Sequence, residues 1–330
     1  MNKKYDCLFI GNAIIDVVSE VSFDFLEKQK IDVGSWRPVS INEINELQEK
    51  MTDIIIASGG SAANSAVGFS LLGGNSAFIG RVKKDDFGSI YIKDLKEANV
   101  DFMSNPINSG EETGRCLVYV SPDAQRSMRT YLGAASNLSP ENLDIKVFEN
   151  SEIVYMEGYL WDEPIAKEAY KKAFDISKQL EMKSAFSLSD KFCVEKWRDE
   201  FRNLSENTDI VFGNEEEIMT LYDTNILSNA ISAASNELNL CIITRGDKGS
   251  IIVSSDGVEE IPSYVCENVI DTTGAGDLFA AGFLYGLSIN LRLYECAKLG
   301  SFCASNVINI IGPRPNNDLI ELVKNEGLLT

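Results

Sequence analysis

The sequence predicts an α/β protein: an open, mostly parallel β-sheet flanked by helices on both faces, with a small β lid. Three observations predict it. Short continuous apolar runs such as "DCLFI", "EIVYM" and "DIVF" alternate with helical patterns of ten or more residues. That texture belongs to strands buried on both faces and joined by crossover helices. Two irregular stretches, about 17–40 and 101–131, interrupt the rhythm and read as parts of the lid. The length, 330 residues, exceeds what one hydrophobic core usually serves, so a main body over 1–330 with an accessory element is expected.

Each element follows in order. "YDCLFI" is the first strand and Gly11 the turn that ends it. "INEINELQEKM" from Ile41 has helical spacing. "GGSAANSAVGFSLLGG" is a paired-glycine turn followed by a helix of small residues. "NSAFIGRV" is a strand, and "DDFGSIYIKDLKEANV" a helix with Asp near its start. "ETGRCLVYVSPDAQRSMRTYLG" predicts two antiparallel strands joined at "PDAQ". Strand "EIVYMEG", a Pro-initiated helix "PIAKEAYKKAFDISKQLE" and strand "KSAFSLSD" restore the alternation. A helix "DEFRNLSEN", strand "DIVFGNEEEI", helix 228–238, and strands "LCIITRG" and "SIIVSSDG" follow. Two helices, about 275–288 and 293–307, come after them. Strand order is not legible from this pattern.

Composition narrows the chemistry. Fifty acids against thirty bases give a net charge of -20. This field repels nucleic acid, and no basic helix offsets it. A nucleotide substrate would need a local anion site and a metal ion. Histidine is absent, which removes Ser-His-Asp and Cys-His catalysis and His-ligated zinc. The seven cysteines form no CxxC pair and read as reduced, buried thiols of a cytoplasmic protein. Neither a secretory leader nor an apolar run long enough for a membrane span is visible. A small-molecule partner is therefore expected. Monomer and homodimer both fit.

The most informative stretch is "DTTGAGDLF", residues 271–279. Leu278, Phe279 and Phe283 recur at helical spacing, which puts Gly274, Ala275 and Gly276 at a helix N-terminus. Unpaired backbone N–H groups and the helix dipole make an anion cradle there, and glycine permits close approach. A carboxylate, Asp277, stands inside this cradle. It suits a reaction in which an alcohol loses its proton while attacking phosphorus. The alternative is a Gly-rich loop with an acid favourably placed at a helix start.

Other fragments are weaker singly. In "GNAIID", Asn12 and Asp16 follow the first strand, where ligands of open sheets bind; an Asp there accepts hydrogen bonds from paired sugar hydroxyls. In "GGSAANSA", Gly59 and Gly60 allow close backbone approach, and Asn64 sits in the first helical turns. In "GNEEEI", Asn214 and Glu217 share one helix face and could organise waters around Mg²⁺. In "TRGDKGS", Thr244, Gly246 and Gly249 form either a hairpin turn or a nucleotide phosphate contact. Arg126, with Arg115 and Arg129, lies in the lid stretch, placed to neutralise a phosphoryl group or to pair with surface acids. GxxxxGK[ST] and GxGxxG are both missing, which disfavours the P-loop and dinucleotide-binding folds.

In this order, "GGSAAN", "NEEE", "TRGDKG" and "DTTGAGD" resemble the ribokinase-type (PfkB) carbohydrate and nucleoside kinases over nearly the whole chain. The resemblance implies a ribokinase-like sheet with a β lid, and ATP-dependent phosphorylation of a hydroxymethyl group. It implies Asp277 as base and Gly274, Ala275 and Gly276 as anion hole. Asn214 and Glu217 would lie around Mg²⁺, and Thr244 and Gly246 near the ATP phosphates. Asp16, Gly60 and Asn64 would hold the acceptor. Asp271 and Thr273 match the stretch where many members bind a monovalent cation such as K⁺. Ser61 stands where ribokinase proper tends to carry Lys, and "GNAIID" looks closer to adenosine kinases. A purine nucleoside, adenosine first, is the expected acceptor. The alternatives are ribose, fructose or a related sugar, or a non-catalytic binding protein on the same fold. Phe23, Phe25, Trp36 and Trp161 are candidates to stack on a purine, with core packing as the competing reading.

Overall fold

A computed structural model of the chain describes residues 3–123, 125–264, 266, 268–315 and 318–329. The first half holds strands β1 (Tyr5–Ile10), β2 (Ile14–Glu20), β3 (Trp36–Pro38), β4 (Ile55–Gly59), β5 (Ser76–Ile79), β6 (Val100–Phe102), β7 (Gly114–Val120) and β8 (Arg126–Tyr131). The second half adds β9 (Ser151–Glu157), β10 (Lys183–Ser187), β11 (Ile210–Asn214), β12 (Leu240–Thr244), β13 (Ser250–Ser254) and β14 (Gly257–Ile261). Nine of them form one sheet in the order β14-β13-β12-β11-β10-β9-β1-β5-β6. Its seven strands from β12 to β6 are parallel, while β13 and β14 run antiparallel at one edge.

Side-chain alternation explains the continuous apolar runs. In β1, Cys7 and Phe9 face one core, whereas Leu8 and Ile10 face the other. Both faces are covered, so no position on this strand needs to be polar. Helices α1 (Phe23–Lys28), α2 (Ile41–Gln48), α3 (Ser61–Leu71) and α4 (Asp86–Glu97) lie in the first half. Helices α5 (Ile145–Glu149), α6 (Pro164–Gln179), α7 (Lys191–Glu206), α8 (Glu215–Leu221) and α9 (Leu227–Glu237) follow, then α10 (Ala275–Ser288), α11 (Leu293–Val307) and α12 (Leu319–Asn325). Residues of α3, α10 and α11 line the core on the Phe9 face. Those of α6 and α7 line the core on the Leu8 face.

The remaining five strands form the second sheet, β3-β8-β7-β2-β4. This is the expected β lid, with altered bounds. It starts at Ile14 rather than 17, because the chain leaves β1 and crosses over within three residues. It also takes in β4, which pairs with β2; "IIASG" lies next to the glycine turn and was not expected to be a strand. Residues 100–102 belong to the main sheet, and α1 occupies part of 17–40. The β7–β8 pair is antiparallel as expected, although Ala124 of the "PDAQ" turn lies outside the described residues. Strand β14 and helix α12 were also not anticipated.

Candidate active site

Strand order creates the crevice. From β1 the chain steps to β5 and β6 on one side, then returns to β9 on the other. The carboxyl ends of β1 and β9 therefore diverge at a switch point, where open α/β sheets bind ligands. Asn12 leaves β1 there, and Glu157 ends β9. The N-termini of α3 and α10 face the same place, as their side-chain contacts show.

Asp277 lies in the first turn of α10. Ser61 Oγ donates to its Oδ1 at 2.6 Å, and Asn64 Nδ2 donates to its Oδ2 at 3.0 Å. Burial raises the Asp277 pKa above the usual carboxylate value. Ser61, Asn64 and the Arg314 charge pull it back. Gly274 caps the helix with φ 80° and no side-chain cap. A Cβ there would come within 2.5 Å of the Pro313 carbonyl oxygen, so this position demands glycine twice over. Ala275 N–H is bonded to Thr272 O at 3.3 Å. Among the described residues, the N–H groups of Gly274, Gly276 and Asp277 have no recorded partner, and Gly276 is exposed. These are the unsatisfied donors expected at a helix mouth.

The acceptor side is built from short-range constraints. Asn12 N–H and Nδ2 both donate to Glu157 Oε1 at 2.8 Å, and Ala62 N–H donates to Glu157 Oε2 at 2.6 Å. Glu157 is fully buried, and burial pushes its pKa up to about 7 against those donors. Asp16 projects from β2 with its pKa pushed up to about 6 by burial, opposed by the Arg314 and Arg126 charges. Gly59 must lack a side chain because a Cβ would meet the Asp16 carboxylate at 2.4 Å. Gly60 has φ 96°, and its Cβ would lie 2.1 Å from Asn12 O. Asn64 is buried, with its amide oxygen accepting from Arg314 Nε at 3.0 Å.

Asn12, Asp16, Gly59, Gly60, Asn64 and Asp277 thus converge. Arg126 reaches over from β8 and ion-pairs with Asp271. Asp271 also accepts from Thr273 N–H at 3.0 Å and Gly312 N–H at 2.7 Å. The Arg126 guanidinium already places a positive charge on this carboxylate, so these residues as arranged do not fit a K⁺ ion at Asp271, and no step is derived through one.

The nucleotide-side residues lie further along the same edge. Asn214 ends β11 and Thr244 ends β12, in register with each other on parallel strands. Asn214 and Glu217 form a capping box. Glu217 N–H donates to Asn214 Oδ1 at 2.9 Å, and Asn214 N–H donates to Glu217 Oε2 at 3.0 Å. Asn214 Nδ2 donates to Glu217 Oε1 at 2.7 Å. Glu217 is buried, and its pKa is pushed up to about 7. Gly246 has φ 59° with open space around it, whereas a Cβ on Gly249 would strike Ile261 O at 2.0 Å. Gly249 is thereby explained as a hairpin position.

Several candidates are used elsewhere. Arg115 is buried and bonded to Gln48, Asn45 and Glu112. Arg129 is bonded to Ser35 and the Met128 carbonyl. Trp161 is buried between Tyr170 and Phe201, Phe25 packs on Tyr119, Phe23 is exposed, and Trp36 packs on Phe192. Sequence reasoning missed Glu157 and Arg314. An acid closing the apolar strand "EIVYME" was a usable signal for the first. Nothing in "IGPRP" marks the second.

An exposed helix mouth beside a half-buried carboxylate, at the switch point of a parallel sheet with a lid, is the arrangement of a kinase of small alcohols. Comparison with known proteins gives the particular family. The model of the pfkB family carbohydrate kinases matches residues 32–318. The chain belongs to this family, and it is a carbohydrate or nucleoside kinase, a phosphotransferase with an alcohol acceptor. That replaces the binding-protein alternative. An adenosine kinase of Sinorhizobium meliloti is 39% identical, with TM-score 0.92 and coverage of 98% of this chain and 99% of that one. A probable sugar kinase of Rhizobium etli is 37% identical, with TM-score 0.94 and coverage of 99% and 100%. A nucleoside kinase of Methanocaldococcus jannaschii is 30% identical over 289 residues, covering 84% of this chain and 89% of that one. The fold is ribokinase-like. Kinases of the family use ATP with Mg²⁺. No helix among the described residues is long and apolar enough to cross a membrane.

Proposed function

We propose that the protein transfers the γ-phosphoryl group of ATP to the 5′-hydroxyl of a purine nucleoside, with adenosine the preferred acceptor. The observation that carries the reading is the Asp277 carboxylate, held by Ser61 and Asn64 beside unpaired helix N–H groups. Ser61 supports a nucleoside because it leaves the wall next to Asp277 short and uncharged, where ribokinase proper tends to carry Lys. The likeness to the Sinorhizobium meliloti adenosine kinase supports it too. The equal likeness to a probable sugar kinase keeps a hydroxymethyl sugar as the second reading.

In this mechanism Asp16 accepts hydrogen bonds from the ribose hydroxyls, and Asn64 orients the sugar. Asp277 accepts the proton of the attacking hydroxyl as the new O–P bond forms and the bond to the β-phosphate oxygen breaks. The amides of Gly274, Ala275 and Gly276 hold the phosphoryl oxygens; the Ala275 amide exchanges its long bond to Thr272 for this contact. Arg126 exchanges its ion pair with Asp271 for the phosphoryl oxygens as the lid closes, and closure excludes water. Thr244 and Gly246 border the phosphates. Among the described residues no cluster of three or more acids or thiols forms an all-protein metal cage. That suits Mg²⁺, which keeps several waters and binds largely through phosphate. Asn214 and Glu217, whose oxygens keep spare lone pairs inside the capping box, would anchor those waters, and the ion would offset phosphate charge when bound. Positioning and electrostatics supply most of the acceleration.

The test is an acceptor panel with ATP and Mg²⁺: adenosine, inosine, ribose and fructose. Phosphate transfer to adenosine at the highest kcat/KM is expected. Transfer to free sugars with none to nucleosides would reject the nucleoside and leave the kinase chemistry standing.

A further inference from the structure

The segment 312–315, "GPRP", is wired into the site at three points. Gly312 N–H donates to Asp271. Pro313 closes over Gly274, the cap of α10. Arg314 then turns inward: Nε donates to Asn64 Oδ1 at 3.0 Å, and Nη1 donates to Ser58 Oγ on lid strand β4. Its Nη2 is buried without a partner. A buried guanidinium left one bond short is costly unless something arrives to take that bond.

The consequence for Asn64 is specific. Its amide stands between two groups, with Oδ1 accepting from Arg314 and Nδ2 donating to Asp277 Oδ2. A flipped amide would present a donor to a donor and an acceptor to a carboxylate. Arg314 therefore fixes which end of Asn64 faces Asp277. It also ties this orientation to the lid through Ser58.

Resting on the kinase reading, we infer that Arg314 is the positioning residue of the acceptor subsite. It locks the Asn64 amide toward Asp277, and its free Nη2 takes an oxygen of the acceptor's sugar ring. The ligand class is a polyhydroxylated ring, whether free sugar or nucleoside, so the inference does not depend on which of the two is phosphorylated.

Loss of the guanidinium also changes the field at the base. Asp277 is faced by Ser61 and Asn64 from α3, by Arg314 from the C-terminal segment, by Asp16 from β2, by Glu157 and Tyr155 from β9, and by Tyr159 just beyond it. Among these Arg314 is the cation, so its removal leaves Asp277 among acids and neutral groups. The acid limb of the kcat profile should move to higher pH.

The experiment compares wild type with R314A and R314K, using ATP, Mg²⁺ and whichever acceptor the wild type prefers. R314A is expected to lose about 10- to 100-fold in kcat/KM for the acceptor, the scale of a charged hydrogen bond. The KM for ATP should hold, the acid limb should shift upward, and millimolar guanidinium should restore part of the rate. R314K should keep the acid limb of the wild type yet raise the acceptor KM, because one ammonium cannot span Asn64, Ser58 and the acceptor. If R314A does not fold, R314K decides by that split alone. An R314A enzyme with wild-type kcat and acceptor KM overturns the inference. So does a loss shared equally between ATP and acceptor, unmoved by guanidinium and accompanied only by a lower Tm. A wild type that phosphorylates no acceptor overturns the kinase reading and this inference together, whereas an active wild type with an unimpaired R314A overturns this inference alone.

Discussion

Asp277 is asked to be charged in a place that discourages charge. Burial raises its pKa, and three neighbours lower it again. That balance is what a base near neutral pH needs. Replacing it by Asn keeps the size and the bond to Ser61 but removes the proton acceptor. D277N should lower kcat about 10²- to 10⁴-fold, the range of general base catalysis, with ATP affinity measured by titration unchanged. Wild-type turnover in that variant would sink the base assignment. At Gly60 the backbone decides: φ is 96° and a side chain would press on Asn12 O. G60A should cost roughly 1–3 kcal/mol through strain, read as a lower urea midpoint, and should raise the acceptor KM because Asn12 and Asn64 shift together. At this scale Asp277, Asn64, Asp16 and the glycines were legible, since acids and glycines beside helix starts carry a local signal. The partners of Glu157 and Arg314 were not, because they lie 145 and 250 positions away.

Among elements, α10 and α11 pack closely. Gly282 lies against Gly300, and a Cβ on Gly282 would come within 2.8 Å of its Cα. Helices that approach this closely need small residues at the crossing, which explains the Gly- and Ala-rich text of α10. G282A should destabilise the fold by about 1–3 kcal/mol through overpacking, measured as a drop in denaturation midpoint. It should leave the acceptor KM of the folded enzyme near wild type, since Gly282 makes no contact with Asp277 or Asn64. A stabilised variant would show that the helices separate freely. The helices themselves were readable from period and caps, and α10 and α11 fall at the expected residues. Strand β4 was not readable: "IIASG" is short, its Ile55 is 62% exposed, and only pairing with β2 makes it a strand.

For the whole molecule, charge is the dominant property. A net charge of -20 repels itself, and Glu157, Glu217 and Asp16 are held with raised pKa values of about 7, 7 and 6. A carboxyl whose folded pKa lies above its unfolded value near 4 keeps its proton longer when folded. Between pH 4 and 7 the native state then binds more protons, so stability falls as pH rises through that window. Moving from pH 7.5 to 5.5 should raise the urea midpoint, by on the order of 4 kcal/mol in stability. Salt should raise the midpoint at pH 7.5 by screening surface repulsion. The acid effect should persist at 0.5 M salt because buried carboxyls are screened little. A midpoint that falls on acidification would contradict the buried-acid account.

The kinase chemistry was implied by the resemblance of the motifs to a known family; the chain's own text determined the α/β class, the alternation of elements and the helix mouth at 274–276. All of these depend on contacts between residues near in sequence: apolar period, caps, and glycine beside acid. Strand order, the membership of β4 in the lid, the clamp on Asn12 by Glu157 and the reach of Arg314 to Asn64 were decided by tertiary structure. Each joins residues separated by dozens to hundreds of positions, and nothing in local periodicity encodes which distant partner a polar side chain meets once the chain closes around a common crevice.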